Sequence, residues 1–356
     1  MLSGAHHILD EDLLRWLQSV VALPVTNIEV VTGGKNNRGL KIHTAEQAYF
    51  LKQYFYDDCR RFQRETDFME VLQAQNVPCI AALLGKFNDT DQKGGIQEAA
   101  LFSALEGALP SKANVVEHEA AYTSQVAQFI FNINRKAIRQ QAAHILPARG
   151  GLGLASEFCR EIERRLDTFN GLENIDLPES LQPLYDALIL WMQESFLPAF
   201  KRVEKSVLSH FSQSLHTPFQ RVLSPSDIGF HNTLQHPKSQ QLSFFDFEYA
   251  GWDSAEKLVT DFFAQPRYPL DEKNMETFVK EAFPENLALL ENARALLPLA
   301  HLKWALIYLN EFKTLDNERR RFATEYQQDD ILAEQNRKQQ QFDKAQQRVQ
   351  RVSQWL

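Results

Sequence analysis

Apolar and polar positions change period along the chain, and the changes divide it. Residues 8–22 carry an amphipathic helical pattern. From about Ile28 the pattern turns to short β-rich runs. Two of them flank Gly33-Gly34-Lys35-Asn36-Asn37, a hairpin-type turn signal, and a third covers Ala48 to Tyr54. A helix is expected from Arg60 to Gln75, with Phe62, Phe68, Met69 and Leu72 as its apolar stripe, and Asn76-Val77-Pro78 stops it. Residues 79–104 offer two further strands around a polar, glycine-containing turn at 89–95. From Glu117 onward the period is helical again, and Tyr122, Val126, Phe129, Ile130 and Ile133 share one face.

Residues 145–155, I-L-P-A-R-G-G-L-G-L-A, interrupt the helices with Pro147 and glycines and predict an inserted loop. Helices follow over 155–170 and 182–215. The tail from about Asp316 is charged and Gln-rich and reads as one long helix. Phe342, Ala345, Val349, Val352 and Leu356 form a stripe on it. That stripe can pack back on the chain or onto a second copy, which would make a homodimer. Its span of barely two heptads favours the first.

A chain of 356 residues is long enough for two lobes with substantial cores. Its 44% hydrophobic and 24% charged residues are ordinary for a globular protein. A net charge of −8 argues against broad nucleic-acid binding. Cys59, Cys79 and Cys159 have neither metal-site spacing nor the number for a disulfide framework, which fits a reducing, cytoplasmic setting. No basic segment followed by an apolar core opens the chain, so no signal peptide is expected. No apolar run is long enough for a membrane span.

The chemistry concentrates in residues 223–248. There L-S-P-S-D-I-G-F-H-N-T-L precedes a short polar stretch and then L-S-F-F-D-F-E. Asp227, Asn232 and Asp246 are laid out as in a phosphotransferase site: a carboxylate to orient and deprotonate an attacking hydroxyl, and two hard oxygen ligands for Mg²⁺. Asp-x4-Asn recurs by chance about once in a chain of this size. Asp246 is more telling. The run Leu242, Phe244, Phe245, Phe247 reads as a strand entering a core, where a lone carboxylate is costly. Upstream, Lys52 stands in an apolar strand and Glu65 on the following helix, the order in which kinase-type folds set an ammonium against phosphates.

These pieces resemble the aminoglycoside phosphotransferase and choline kinase-like family, the small-molecule branch of the protein-kinase-like fold. The matching segments are G-G-K-N-N, Y-F-L-K, R-F-Q-R-E, S-D-I-G-F-H-N and F-D-F-E, over roughly residues 25–310. The resemblance implies a two-lobed α+β fold with a strand-rich N-lobe (1–105), a mainly helical C-lobe (106–314) and a C-terminal helical extension (315–356). It implies ATP and Mg²⁺ as cofactors and a small-molecule hydroxyl as acceptor. Gly33, Gly34, Asn36 and Asn37 would cover the nucleotide, Lys52 and Glu65 would position its phosphates, and Phe102, Ser103 and Leu105 would form the hinge against the base. Asn232 and Asp246 would hold metal, and Asp227 would act on the acceptor.

Three departures stand out. Pro225 occupies the place where the family has a His bracing the catalytic loop, so Ser224, Ser226 or the fixed φ of Pro225 must substitute. Glu248 follows Asp246-Phe247 where protein kinases have Gly, as a further metal ligand or a partner of one. The turn G-G-K-N-N lacks the G-x-G-x-x-G spacing. Asp261 is the expected structural brace. Arg149, with Arg160, Arg164 and Arg165 on the next helix, points to a sugar or similar acceptor rather than an aminoglycoside or amino alcohol. The rival from another class is a nucleotide-binding pseudokinase that regulates a partner.

Overall fold

Five antiparallel strands carry the N-terminal part of the computed structural model, which describes residues 9–31, 36–90, 95–313, 331–353 and 355. They are β1 (Val25–Val31), β2 (Arg38–Thr44), β3 (Ala48–Tyr54), β4 (Leu83–Thr90) and β5 (Ile96–Ser103), in the order β1-β2-β3-β5-β4. Helix α1 (Glu11–Val20) precedes them. Asp10 caps it by accepting from Leu13 N at 2.8 Å, and Glu11 and Asp12 sit favourably at its positive end. Leu13, Leu14 and Leu17 of α1 share a core with Leu40, Ile42, Tyr49 and Leu51 of the sheet. The strand period of two then turns Lys52 and Tyr54 to the other face. Lys52 lies opposite Gly39 on β2 and Ala100 on β5.

The chain divides into two compact units. One comprises residues 1–149, 223–252 and 317–326, the other 150–222, 253–316 and 327–356. The first unit holds the sheet, α2 (Arg61–Ala74), α3 (Lys112–Ile133), α4 (Lys136–Gln141) and the short hairpin strands β6 (Thr233–Gln235) and β7 (Leu242–Phe244). All five apolar positions expected on the α3 face are buried. The run expected to be a strand through Phe247 stops at Phe244, because Asp246 takes a left-handed backbone with φ 67°.

The second unit is helical: α5 (Ala155–Asp167), α6 (Gln182–Trp191), α7 (Leu197–His210), α8 (Ala255–Ala264), α9 (Met275–Ala282), α10 (Leu289–Tyr308) and a C-terminal helix, Ile331–Ser353. The single helix expected over 182–215 is broken by a π turn at Met192–Phe196 and ends at His210. Phe342, Ala345, Val349 and Val352 are buried in the core of this unit with Leu299, Leu302 and Leu306 of α10, so the stripe packs back on the chain itself. Leu356 lies outside the described residues. Among the described residues no helix is long and apolar enough to cross a membrane, and all three cysteines are free.

A buried ionic chain crosses this unit. Lys257 Nζ reaches Asp253 at 2.9 Å and Asp261 at 2.8 Å, and Lys303 takes the other Asp261 oxygen. Both oxygens of Asp261, which the resemblance made a brace of the catalytic loop, are instead held by ammoniums of this unit. Burial raises the Asp261 pKa, but the two lysines outweigh it and hold the carboxyl at about 2. An unfolded Asp titrates near about 3.9, so this depressed group adds stability above that pH and loses its contribution as pH falls toward about 2. Asp261→Asn should cost about 3–5 kcal/mol, since it takes the carboxylate from buried Lys303 and leaves Lys257 with Asp253 alone. Denaturant unfolding across the acid range checks this. A difference between wild type and variant that failed to shrink from about pH 4 downward would contradict the assignment.

Candidate active site

Lys52 is the centre of the site. Its ammonium is bonded to Glu65 Oε2 at 2.7 Å, to Asp246 Oδ1, and approaches Glu248 Oε2 at 3.2 Å. Burial alone would lower the Lys52 pKa; Asp246, Glu65 and Glu248 together raise it well above the usual lysine range. Tyr54, two residues on and so on the same face of β3, donates to Glu65 Oε2 at 2.9 Å. Burial, and then the Glu65 charge, pushes the Tyr54 phenol up, so it stays a donor. Glu65 is placed by α2, whose Phe62, Phe68, Met69 and Leu72 are buried as the sequence pattern required.

Glu65 also fixes the segment Asp246-Phe247-Glu248, its Oε1 accepting from Phe247 N at 3.1 Å. The Phe247 ring packs between Phe68 of α2, at 5.3 Å between centroids, and Phe129 of α3, at 6.1 Å. That wedge sets the segment so that both flanking carboxylates reach Lys52. The left-handed conformation of Asp246 costs on the order of 1 kcal/mol, a strain of the kind found at functional sites. Asp246 is 34% exposed, whereas Glu65 and Glu248 are each 5% exposed. Burial and the neighbouring Asp246 push Glu248 up to about 7, against the pull of Lys52.

The second half of the site follows Leu223. Asn134, at the end of α3, clamps that residue, accepting from Leu223 N at 2.8 Å and donating to its carbonyl at 3.0 Å. Ser224 Oγ accepts from Ser226 N at 3.0 Å and Asp227 N donates to the Pro225 carbonyl at 2.9 Å, a tight turn with Ser226 at φ 66°. Ser224 thus takes part of the bracing that the missing His would supply. Asp227 emerges with 38% of its side chain exposed and its Oδ1 3.2 Å from His231 Nε2. Asn232 donates to the Asp227 carbonyl at 2.8 Å, and its own carbonyl accepts from Phe245 N at 3.1 Å. These bonds bring the Asp227–Asn232 loop beside the Asp246 segment.

The remaining expected residues divide. Gly33 and Gly34 lie outside the described residues. Asn36 and Asn37 reach the site, but through their side chains, which both donate to Glu248. Phe102 and Ser103 still belong to β5, and the Ser103 N–H donates to the Ala82 carbonyl at 2.9 Å. Leu105 follows, half-buried. Just beyond it, Gly107 has φ 121°, and a Cβ there would strike the Gln235 carbonyl, so the passage from β5 to α3 requires glycine. Hard oxygen donors are what Mg²⁺ takes, and the set fits. By distance, Glu65, Asp246 and Glu248 offer ligand atoms within 4.8 Å of one another.

The sequence pattern did not reveal Tyr54, Arg61, Asn134 or the His231 contact. Of these, His231 alone carries a signal in the sequence, by standing between Asp227 and Asn232. Asn134→Ala should lower stability by about 1–3 kcal/mol, because it strips both bonds from a buried backbone segment. Denaturant unfolding measures this, and a loss below about 0.5 kcal/mol would show that the clamp is incidental.

The model of the phosphotransferase enzyme family matches residues 27–256. No curated protein matches the chain. Among solved structures, spectinomycin phosphotransferase with ADP and spectinomycin is 12% identical, covers 95% of this chain and 98% of its own, and superposes with a TM-score of 0.57. The APH(2″)-IIIa complex with GDP and kanamycin is 12% identical, covers 96% and 98%, and gives 0.59. A putative aminoglycoside phosphotransferase from Ralstonia eutropha is 15% identical, covers 96% and 98%, and gives 0.54. At such identities the likeness establishes the two-lobed kinase-like fold and nothing finer.

Proposed function

The chain belongs to the phosphotransferase enzyme family and is thereby a small-molecule kinase, and on that premise we propose that it moves the γ-phosphoryl group of ATP to a hydroxyl of a small metabolite. One observation carries the reading: a buried ammonium held between Glu65 and Asp246, beside a loop that presents Asp227 to solvent. Lys52, braced by Glu65, would engage the α- and β-phosphates. Asn232 and Asp246 would hold Mg²⁺, which supplies charge neutralisation on the phosphates when bound. Asp246 suits this as the most exposed of the three carboxylates around Lys52.

Asp227 would orient the acceptor hydroxyl. The acceptor oxygen bonds to the γ-phosphorus as the bond to the β–γ bridging oxygen breaks, the hydroxyl proton passes to Asp227, and ADP leaves. Because the transition state is loose, Asp227 needs reach more than basicity. His231, bonded to Asp227, would hold its carboxylate in one orientation. Asn36, Asn37, Ser103 and Leu105 would border the nucleotide, their contacts with it following from chain order.

The proposed acceptor is a sugar or another polyhydroxylated metabolite. Arg164 and Arg165 are paired with Glu161 at 2.9 and 2.6 Å, which leaves Arg149 and Arg160 as the exposed cations of the set that carry this reading. The complexes with spectinomycin and kanamycin make an aminocyclitol acceptor the second reading. A turnover screen over sugars, sugar acids, amino alcohols and aminoglycosides separates the two. Asp227→Asn should then retain nucleotide affinity and lose about 10²–10⁴-fold in turnover on the acceptor found. Wild-type turnover in that variant would remove Asp227 from the mechanism.

A further inference from the structure

Glu248 is surrounded by the chain's own donors. Asn36 Nδ2 donates to its Oε1 at 3.0 Å and also to the Tyr249 hydroxyl at 2.8 Å; Asn37 Nδ2 donates to its Oε2. Lys52 approaches Oε2 at 3.2 Å and Arg61 Nε approaches Oε1 at 3.5 Å. Arg61 is itself fully buried, pinned to Asp57 at 2.6 Å, with its guanidinium against the Tyr249 ring at 5.6 Å. Asn37 is fixed from its other end, its Oδ1 accepting from Phe55 N at 3.0 Å. Two amides, an ammonium and a guanidinium therefore converge on one carboxylate, and each of its oxygens takes one amide and one cation.

Distance alone puts Glu248 in a metal-suited group with Glu65 and Asp246. Its bonding argues otherwise. For Glu248 to turn an oxygen to a cation, an amide bond and a contact with a buried positive group must break at once. Asp246 is far more exposed and, among the described residues, is paired with Lys52 alone, so it can turn at little cost. The two asparagines stand immediately before β2, and in the proposed function they border the nucleotide.

We propose that Glu248 is a positioning residue and not a metal ligand: it ties Asn36 and Asn37 to the segment that carries Asp246, and so sets these two nucleotide-bordering residues against the metal-binding side chain. This rests on the ATP-binding reading of the same site. Glu248→Gln would lose this latch, because the new amide sets an N–H against donors that need an acceptor.

A double-mutant cycle on the full chain tests this, using Glu248→Gln, the pair Asn36→Ala with Asn37→Ala, and their combination. Glu248→Gln and the asparagine pair should each raise the KM for ATP by about tenfold, the effect of one lost charge-assisted hydrogen bond. The combination should be no worse than either, and the Mg²⁺ concentration for half-maximal turnover should stay within about twofold of wild type throughout. Additive effects, or a Mg²⁺ requirement raised in Glu248→Gln alone, would overturn the proposal.

Amide hydrogen exchange reads the same latch without turnover. Glu248→Gln should speed exchange at residues 36–40 and at Phe55, while Asp246→Asn should not. If no acceptor is phosphorylated but this pattern holds, the functional reading fails and the latch stands. Unchanged exchange at those amides in a folded Glu248→Gln variant sinks the latch.

Discussion

A buried ammonium needs counter-charges, and that requirement at Lys52 organises the first unit. Taking a lysine out of water costs several kcal/mol unless anions are brought to it with good geometry. Here they come from two places far apart in the chain, Glu65 on α2 and the Asp246–Glu248 segment. Tyr54 adds a donor to Glu65, and Phe247 wedges between α2 and α3 to aim its flanking carboxylates. In the proposed function the arrangement would double as preorganisation, since a cation fixed before a nucleotide arrives need not reorient afterwards.

What the chain declared in its sequence was what recurs locally. The alternation of β3 placed Lys52 on the face away from Tyr49 and Leu51, and the stripe of α2 placed Glu65. The spacing of Asp227, Asn232 and Asp246 marked the site's second half, and the stripe Phe342 to Val352 announced a helix that packs on its own chain. The illegible parts are bonds between distant segments. Asn134 and Leu223 stand 89 residues apart, and Asn37 and Glu248 stand 211 apart. A side chain that meets backbone or carboxylate across such a gap leaves no periodic trace. The strand expected through Phe247 failed for a related reason: the left-handed turn at Asp246 serves the site and overrides local apolar propensity.

The replaced histidine illustrates how a loop can be braced by other means. Pro225 removes a donor and fixes φ, while Ser224 accepts from Ser226 N and Asn134 holds Leu223 from both sides. His231 returns an imidazole to Asp227 from the opposite direction along the chain. The bracing is thus distributed over three residues, which weakens Pro225 as an argument for a chain that has abandoned catalysis.

The central claim is that the carboxylates around Lys52 include one, Asp246, that is given over to metal when nucleotide binds. Calorimetry of ATP binding with and without Mg²⁺, in wild type and in Asp246→Ala, tests it most directly. The account predicts that Mg²⁺ tightens ATP binding to the wild type, that this gain disappears in the variant, and that adenosine binds both alike. Equal metal dependence in the two proteins would contradict it.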